Sequence, residues 1–266
     1  MFTLYHFVWL GISIPVIVLA LILLLKYRPP LEKVLSVACI CCIFSELAKI
    51  FGVLQMVPDQ SGESMHLYLQ MQNLPLHLCS LQIIAIYCAR FMRQGKARDV
   101  LLGFMYPTCT AGAFFALLLP SIFDESSTVL DAFASSHPYE YFLYHSMLIV
   151  LGLYIFLSKQ VDLQPRHCAT TFGMLAALAL FSIYTNSMFS HAVYENGELV
   201  SVEYTPNFFF VFETPIGIKL TEMWHWYLYL VILLGLASLL IVGFYIPVFR
   251  RAKKAKQEQT KELVTA

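Results

Sequence analysis

The chain has 266 residues, of which 59% are hydrophobic and 13% are charged, and its formal net charge is zero. Its mean hydropathy of +0.69 lies above the range of ordinary soluble domains, so a lipid bilayer is the expected surrounding. A neutral chain of this kind argues against nucleic acid as a partner, and the length leaves no room for a separate soluble domain beside the membrane spans.

Seven apolar runs, taken in chain order, are each close to the length that a bilayer requires. They occupy residues 7–25, 31–57, 74–93, 99–123, 139–159, 167–190 and 223–248. Fifteen of the seventeen Lys and Arg residues lie at the connections after the first, third and fifth runs or in the tail, which predicts that these parts are cytoplasmic and that the N-terminus is outside. We therefore predict an all-α membrane protein: a seven-transmembrane-helix bundle over residues 1–248 and a basic polar cytoplasmic tail over 249–266.

The connection before the last run is long and has two distinct parts. Asn196-Gly197 stands between alternating residues and predicts a short hairpin with a tight turn. The stretch 207–219 is apolar but too short to span, and Pro215 and Gly217 interrupt it. This predicts a re-entrant segment before the last helix, with a loop on the membrane surface as the alternative.

Ionisable side chains inside the apolar runs are costly, so they usually face a bundle interior or a cavity. In the second run, Glu46 and Lys49 are three residues apart, which places them on one helical stripe where they can pair. The pair either takes part in a functional site or serves only to fix helix packing.

The third run begins with a residue that can cap a helix, Asn73, and with Pro75 in the first turn, so a regular helix is predicted from there. Two residues along such a helix correspond to about 200° of rotation, so His77 and Cys79 are predicted to point to nearly opposite faces. A nucleophilic Cys79 therefore needs either a base from another helix or an irregular backbone after Pro75. The alternative is that Cys79 is an inert packing residue.

Successive spans cross the membrane in opposite directions, so the position of each polar or ionisable side chain along its span predicts its depth. Most of these side chains are predicted to lie in the outer half of the membrane, where they would line a polar cavity. The candidate catalytic residues are His77, Cys79, Glu46 and His145. The candidate substrate-binding residues are His6, Lys49, Gln82, Asn186, Asn207 and His225. The histidines lack a paired metal-ligand spacing, so we expect neither a metal nor another cofactor, and a zinc hydrolase is the less favoured alternative.

Three short blocks of sequence and one single histidine resemble the YwaF-like family of bacterial integral membrane proteins. They are FTLYH at 2–6, LPLHLC at 74–79, His145, and NFFFVFETP at 207–215. That family is distantly related to a mammalian transmembrane acyltransferase of ether phospholipids, which is thought to carry the acyl group on a cysteine beside a histidine. If Pro75 and His77 are the matched positions, this cysteine corresponds to Leu76 here, and Cys79 lies three residues further on. The last helix begins with His225-Trp226-Tyr227, where the family pattern has a Pro-Trp-Tyr-like sequence.

The resemblance implies a lipid-modifying enzyme of a bacterial plasma membrane that transfers an acyl group on a phospholipid or lysolipid, with phospholipid and membrane as its partners. His is the side chain whose ordinary pKa suits a general base near neutral pH, and His77 is the predicted base. Glu46 could orient its ring, while Lys49 or Asn207 could hold a phosphate or an oxyanion. A carrier, or a receptor-like binding protein that uses the same cavity without chemistry, is the alternative, and protein partners are left open.

Overall fold

The computed structural model of the chain describes residues 2–59, 64–119, 122–123, 126–195, 198–204 and 206–265. In chain order the helices and strands are α1 Leu4–Tyr27, α2 Leu31–Val53, β1 Gln55–Pro58, β2 Met65–Tyr68, α3 Leu78–Phe91, α4 Lys96–Leu118, α5 Val129–Phe133, α6 Ser136–Leu157, α7 Arg166–Met188, β3 His191–Glu195, β4 Glu198–Tyr204 and α8 Met223–Thr265. Among these residues, seven helical segments are long and apolar enough to cross a membrane. The predicted fold class, an all-α membrane protein with seven spans, is confirmed.

The chain divides into two compact units. Unit 1 comprises Met1–Arg93 and Thr108–Gln160, and unit 2 comprises Gln94–Pro107 and Val161–Ala266. The boundary falls inside α4 at Pro107, a residue type that removes one backbone hydrogen bond from a helix interior. The prediction of one transmembrane domain over residues 1–248 stays a prediction.

Helix α6 forms the core of unit 1, where it packs against α1 and α2. Its side chains are buried along most of its length, and those of Phe142 and Tyr154 are fully buried. At the far end of α6, Gln160 accepts a hydrogen bond from the backbone N–H of Leu31 at 2.7 Å and donates one to the carbonyl of Pro29 at 2.9 Å. These bonds satisfy backbone groups between α1 and α2, where neither helix supplies a partner.

Helix α3 begins later than predicted. Residues Met71–Asn73 form a short 3₁₀ turn, and α3 starts only at Leu78, so the expected regular helix from Asn73 onward is wrong. Steric conflict with a following proline disfavours helical backbone, and Leu74, which precedes Pro75, is extended at φ −60° and ψ 145°. His77 is therefore the N-cap residue of α3, with φ −71° and ψ 154°.

Two antiparallel hairpins connect the helices. Strands β1 and β2 pair from Gln55 opposite Tyr68 to Pro58 opposite Met65, so the second apolar run ends as a strand rather than as helix. Strands β3 and β4 form the hairpin predicted before the last helix, although the turn residues Asn196 and Gly197 lie outside the described residues.

In unit 2, hydrogen bonds join α8 to the first part of α4. The buried Tyr245 donates to the carbonyl of Gly103 at 2.9 Å, and Tyr106 donates to the carbonyl of Phe244 at 2.9 Å. Helix α7 packs closely on Gly103, since a Cβ atom there would lie 2.9 Å from Cβ of His167. Helix α8 continues to Thr265, so the predicted polar tail is helical over its described length.

Candidate functional site

The end of α2 and the start of α6 approach each other closely in unit 1. A Cβ atom at Gly52 would lie 2.9 Å from Oγ of Ser136 and 3.1 Å from Cβ of His137, so only glycine leaves enough space for this approach. Ser136 also donates a hydrogen bond to the carbonyl of Ala48 at 2.8 Å. The backbones of the two helices are thereby held together at the level of the candidate site.

Five charged or hydrogen-bonding side chains form a polar cluster on these two helix ends. Lys49 and Glu46 form the predicted ion pair at 3.4 Å, and the side chain of Lys49 is only 14% exposed. The hydroxyl of Ser45 donates to the carboxylate of Glu140 at 2.7 Å. Glu140 in turn interacts electrostatically with Lys49 and Glu46, and Lys49 also interacts with His137.

Two imidazole rings lie beside this cluster. His77 interacts electrostatically with Lys49 and with His145, which lies in α6 and is 7% exposed. The ring of His77 hydrogen-bonds to the backbone of Gln72. Nδ1 of His145 donates to the carbonyl of Tyr141 at 2.6 Å, because a carbonyl can only accept. This bond orients the ring of His145 and leaves Nε2 with the lone pair that a general base requires.

The thiol of Cys79 points toward α4. A Cβ atom built on Gly112 would lie 3.8 Å from Sγ of Cys79 and 3.5 Å from the side chain of Leu78. The carbonyl of Cys79 accepts a hydrogen bond from Tyr144 at 2.7 Å, which ties the first turn of α3 to α6. The side chain of Cys79 therefore lies between α3 and α4, where its free thiol packs against Gly112.

Gln82 is fully buried and both ends of its amide are occupied. It donates to Oγ1 of Thr108 at 3.0 Å and accepts from Sγ of Cys109 at 3.2 Å. This arrangement gives Gln82 a structural role between α3 and α4. Its predicted role in substrate binding stays a prediction.

His6 is fully buried near the start of α1. Its Nε2 donates to the carbonyl of Leu117 at 3.0 Å, and its ring stacks on Phe2 and Phe7 with centroids 5.7 Å and 5.6 Å away. Nδ1 of His6 is buried and has no hydrogen-bond partner among the described residues. The ring of His6 therefore lies among aromatic side chains, and the lone pair of its Nδ1 accepts no hydrogen bond from the described residues.

The three remaining candidates belong to unit 2, where two of them organise the segment before α8. Asn186 is fully buried; its Oδ1 accepts from the N–H of Phe208 at 2.9 Å and its Nδ2 donates to the carbonyl of Phe208 at 3.2 Å. Asn207 accepts from the N–H groups of Phe212 and Glu213 at 3.1 Å and 3.2 Å. His225 accepts from the N–H of Glu222 at 3.2 Å, next to the start of α8.

The structure brings together four of the predicted site residues, Glu46, Lys49, His77 and His145, while their role stays a prediction. Three members of the polar cluster are absent from the predicted set. Ser45 in α2 and Glu140 in α6 are two of them. His137 was also missed. A signal was present, because His137, Tyr141 and His145 recur at four-residue spacing and so form a polar and aromatic stripe on one helical face.

Metal binding requires several ligands around one point. Over the described part of the chain, no group of three or more His, Cys, Asp or Glu residues is arranged to hold a metal ion. The side chains of the polar cluster supply imidazole, carboxylate, ammonium and hydroxyl groups.

Seven helices of membrane length, with ionisable side chains gathered where α2, α3 and α6 meet, define a polytopic integral membrane protein. The model of the TMEM164 family matches residues 1–245, and the chain belongs to this family. Neither the curated proteins nor the solved structures yielded a significant match.

Proposed function

We propose that this protein is a membrane-embedded enzyme that transfers an acyl group from a phospholipid to a lysolipid. The headgroups occupy a polar site in the outer leaflet, next to Lys49, His77 and His145, and the enzyme works in a bacterial plasma membrane. The resemblance to the YwaF-like family, with its distant acyltransferase relative, motivates this choice of reaction. The observation that carries it is the meeting of two imidazoles with a half-buried ion pair.

The reaction requires a base that can take up and return one proton. In our proposal His77 accepts the proton of the lysolipid hydroxyl, and the resulting oxygen nucleophile attacks the ester carbonyl of the donor phospholipid. The carbon–oxygen bond to the departing glycerol oxygen then breaks, and that oxygen takes the proton back from the imidazolium. If water replaces the lysolipid, the same steps release a free fatty acid.

The neighbouring charges support these steps. In our proposal Glu46 and Glu140, which interact with Lys49, offset part of its positive charge beside the imidazoles. Lys49 in turn offsets the negative charge that develops on the carbonyl oxygen or binds the lipid phosphate. His145, with its ring oriented by the carbonyl of Tyr141, is the second candidate for the base. The side chain of Lys49 is only 14% exposed and His145 only 7%, and limited contact with water strengthens their electrostatic effect.

A thiol route is the competing mechanism within this proposal. It needs the thiolate of Cys79 to attack the donor ester, so that a thioester forms and the glycerol oxygen of the donor leaves as a hydroxyl. The lysolipid hydroxyl then attacks the thioester, takes the acyl group and releases the thiol. The backbone before Leu78 is not helical, so the helical rotation that was predicted to turn His77 and Cys79 to opposite faces does not apply. The thiol of Cys79 nevertheless packs toward Gly112 in α4. This packing favours the route in which the imidazole activates the acceptor directly.

The test is a transfer assay with purified protein in lipid nanodiscs. The donor is a phospholipid with an isotope-labelled acyl chain, the acceptor is an unlabelled lysophospholipid, and mass spectrometry follows the label. We expect His77→Ala to lower the transfer rate by about 10²–10⁴-fold, the usual contribution of a general base. We expect a smaller loss in His145→Ala and near wild-type transfer in Cys79→Ser.

The matched control is His66→Ala, which removes an exposed imidazole in β2 and should leave the rate unchanged. Loss of transfer in Cys79→Ser as well as in His77→Ala indicates the thioester route instead. If the wild-type protein transfers or releases no label from a broad panel of phospholipids, the enzyme proposal is wrong. Retention of those lipids without turnover then indicates a carrier or binding protein.

A further inference from the structure

Unit 2 contains a groove that the proposed function does not use. It lies between α7 and α8, has a volume of about 350 Å³, and is lined by Pro165, Cys168, Phe172, Ser238, Val242 and Phe249 among others. This volume falls within the range of about 300–1,000 Å³ that is typical of small-molecule sites. The groove runs along the first two turns of α7 and the stretch of α8 that ends at Phe249.

The walls of the groove are apolar and partly uncovered. Phe172, Val242 and Phe249 are 40%, 45% and 37% exposed. Ser238 is a polar lining residue, but its hydroxyl donates to the carbonyl of Leu234 in its own helix at 2.7 Å. Its single hydrogen-bond donor is therefore already used, and the mostly apolar groove matches a hydrocarbon chain better than a polar ligand.

Cations are concentrated at one end of the groove. Arg166 directly follows the lining residue Pro165, while Arg250 and Arg251 directly follow Phe249. Lys253 and Lys254 come next along α8, and all five cations are exposed. Lys254 approaches Glu258 at 3.8 Å, but both of these side chains are more than half exposed and the pair neutralises little of the local charge.

We propose that this groove binds one acyl chain of an anionic glycerophospholipid, whose phosphate group interacts with Arg166 and Arg250. Apolar walls beside a cluster of exposed cations complement a ligand that combines a hydrocarbon chain with a negative headgroup. Basic clusters at the end of a membrane helix attract anionic lipids in this way. The site lies wholly within unit 2 and is independent of the proposed enzymatic activity.

The test is lipid competition followed by native mass spectrometry on the full-length protein in detergent. Phosphatidylglycerol and phosphatidylcholine with identical acyl chains are added in equal amounts, and the bound ratio is measured. We expect wild-type protein to retain phosphatidylglycerol preferentially. The double variant Arg166→Gln/Arg250→Gln should lower that preference on the order of tenfold, because each cation near a headgroup contributes to anionic selectivity.

A matched control distinguishes a site from general surface charge. Arg28→Gln/Lys33→Gln removes two exposed cations of unit 1 and should leave the preference unchanged. Equal loss in both double variants, or no preference in the wild type, overturns the proposal. The apparent melting temperature of each variant is recorded, so that unfolding cannot be mistaken for lost binding.

A second pair of variants tests the acyl chain. Ala169 lines the groove and is exposed, so Ala169→Trp should fill the groove without disturbing the core and should reduce retention of both lipids. Ala177→Trp adds the same side chain at an exposed position of α7 outside the lining and should have no effect. Equal lipid retention in the two tryptophan variants shows that the groove does not hold the chain.

Discussion

The carboxylate of Glu140 lies in a helix of membrane length, where few water molecules are available to solvate it. It accepts from Ser45 at 2.7 Å and has Lys49 within electrostatic reach. Hydrogen bonds to charged groups are the stronger ones in proteins, and a buried acceptor that loses its donor is costly. Ser45 is therefore a stabilising residue of the polar cluster, whatever its role in chemistry.

Replacing Ser45 by alanine should destabilise the protein by about 1–3 kcal/mol, because the Glu140 carboxylate then loses its donor. The measurement is the apparent melting temperature in detergent, followed by intrinsic fluorescence. Ser238→Ala is the matched control, since that hydroxyl bonds only within its own helix, and its effect should stay within about 0.5 kcal/mol. Equal shifts in the two variants would contradict the importance of the Ser45–Glu140 bond.

Asn186→Ala is expected to be more harmful. It removes both hydrogen bonds to the backbone of the fully buried Phe208, and two unsatisfied backbone groups cost about 2–4 kcal/mol together. Limited proteolysis should also cut the segment before α8 faster in this variant. Asn207→Ala is the comparison, because its partners are more exposed, so proteolysis in that variant should change less. The opposite order would show that Asn186 does not anchor this segment.

At the scale of elements, the start of α3 and the approach of α2 to α6 decide the shape of the candidate site. Pro75 keeps Leu74 extended, so the chain reaches His77 as loop and not as helix. Gly52 allows α6 to come close enough for Ser136 to contact the backbone of α2. Two residues with special backbone properties thus position the imidazole and carboxylate groups, although neither of them carries the chemistry.

Gly52→Ala should destabilise the protein by about 1–3 kcal/mol, since the added methyl group overlaps Ser136 and His137 and forces the two helices apart. Gly11→Ala, in α1, is the matched control. A Cβ atom there has nothing within 4 Å, so the substitution should be neutral or stabilise by up to about 1 kcal/mol through helix propensity. Thermal unfolding of both variants in the same detergent provides the comparison, and a neutral Gly52→Ala would contradict the tight contact.

At the scale of the whole molecule, the distribution of basic residues predicts how the chain lies in the membrane. Fifteen of the seventeen Lys and Arg residues fall on the side assigned to the cytoplasm. This asymmetry predicts the orientation, because basic residues in short connections resist translocation. With seven spans it predicts that the two termini lie on opposite sides of the membrane and that the N-terminus is outside.

Reporter fusions test this orientation. A reporter fused after Lys96 or at the C-terminus should be active in the cytoplasm, and one fused after Gln60 should be active only outside it. Paired reporters that work on opposite sides of the membrane provide the control at each position. Any other pattern refutes the predicted topology, and it would also move the proposed acyl-transfer site to the other leaflet.

The sequence alone determined the number and approximate limits of the spans, because a bilayer leaves the backbone few options besides a helix and so makes apolar run length decisive. It also predicted the Glu46–Lys49 pair, since these residues are neighbours on one turn of a helix. Only the tertiary structure paired Ser45 with Glu140, which are 95 positions apart. Periodicity describes one helix at a time, whereas such a contact depends on how closely two helices approach, and here Gly52 decides that distance.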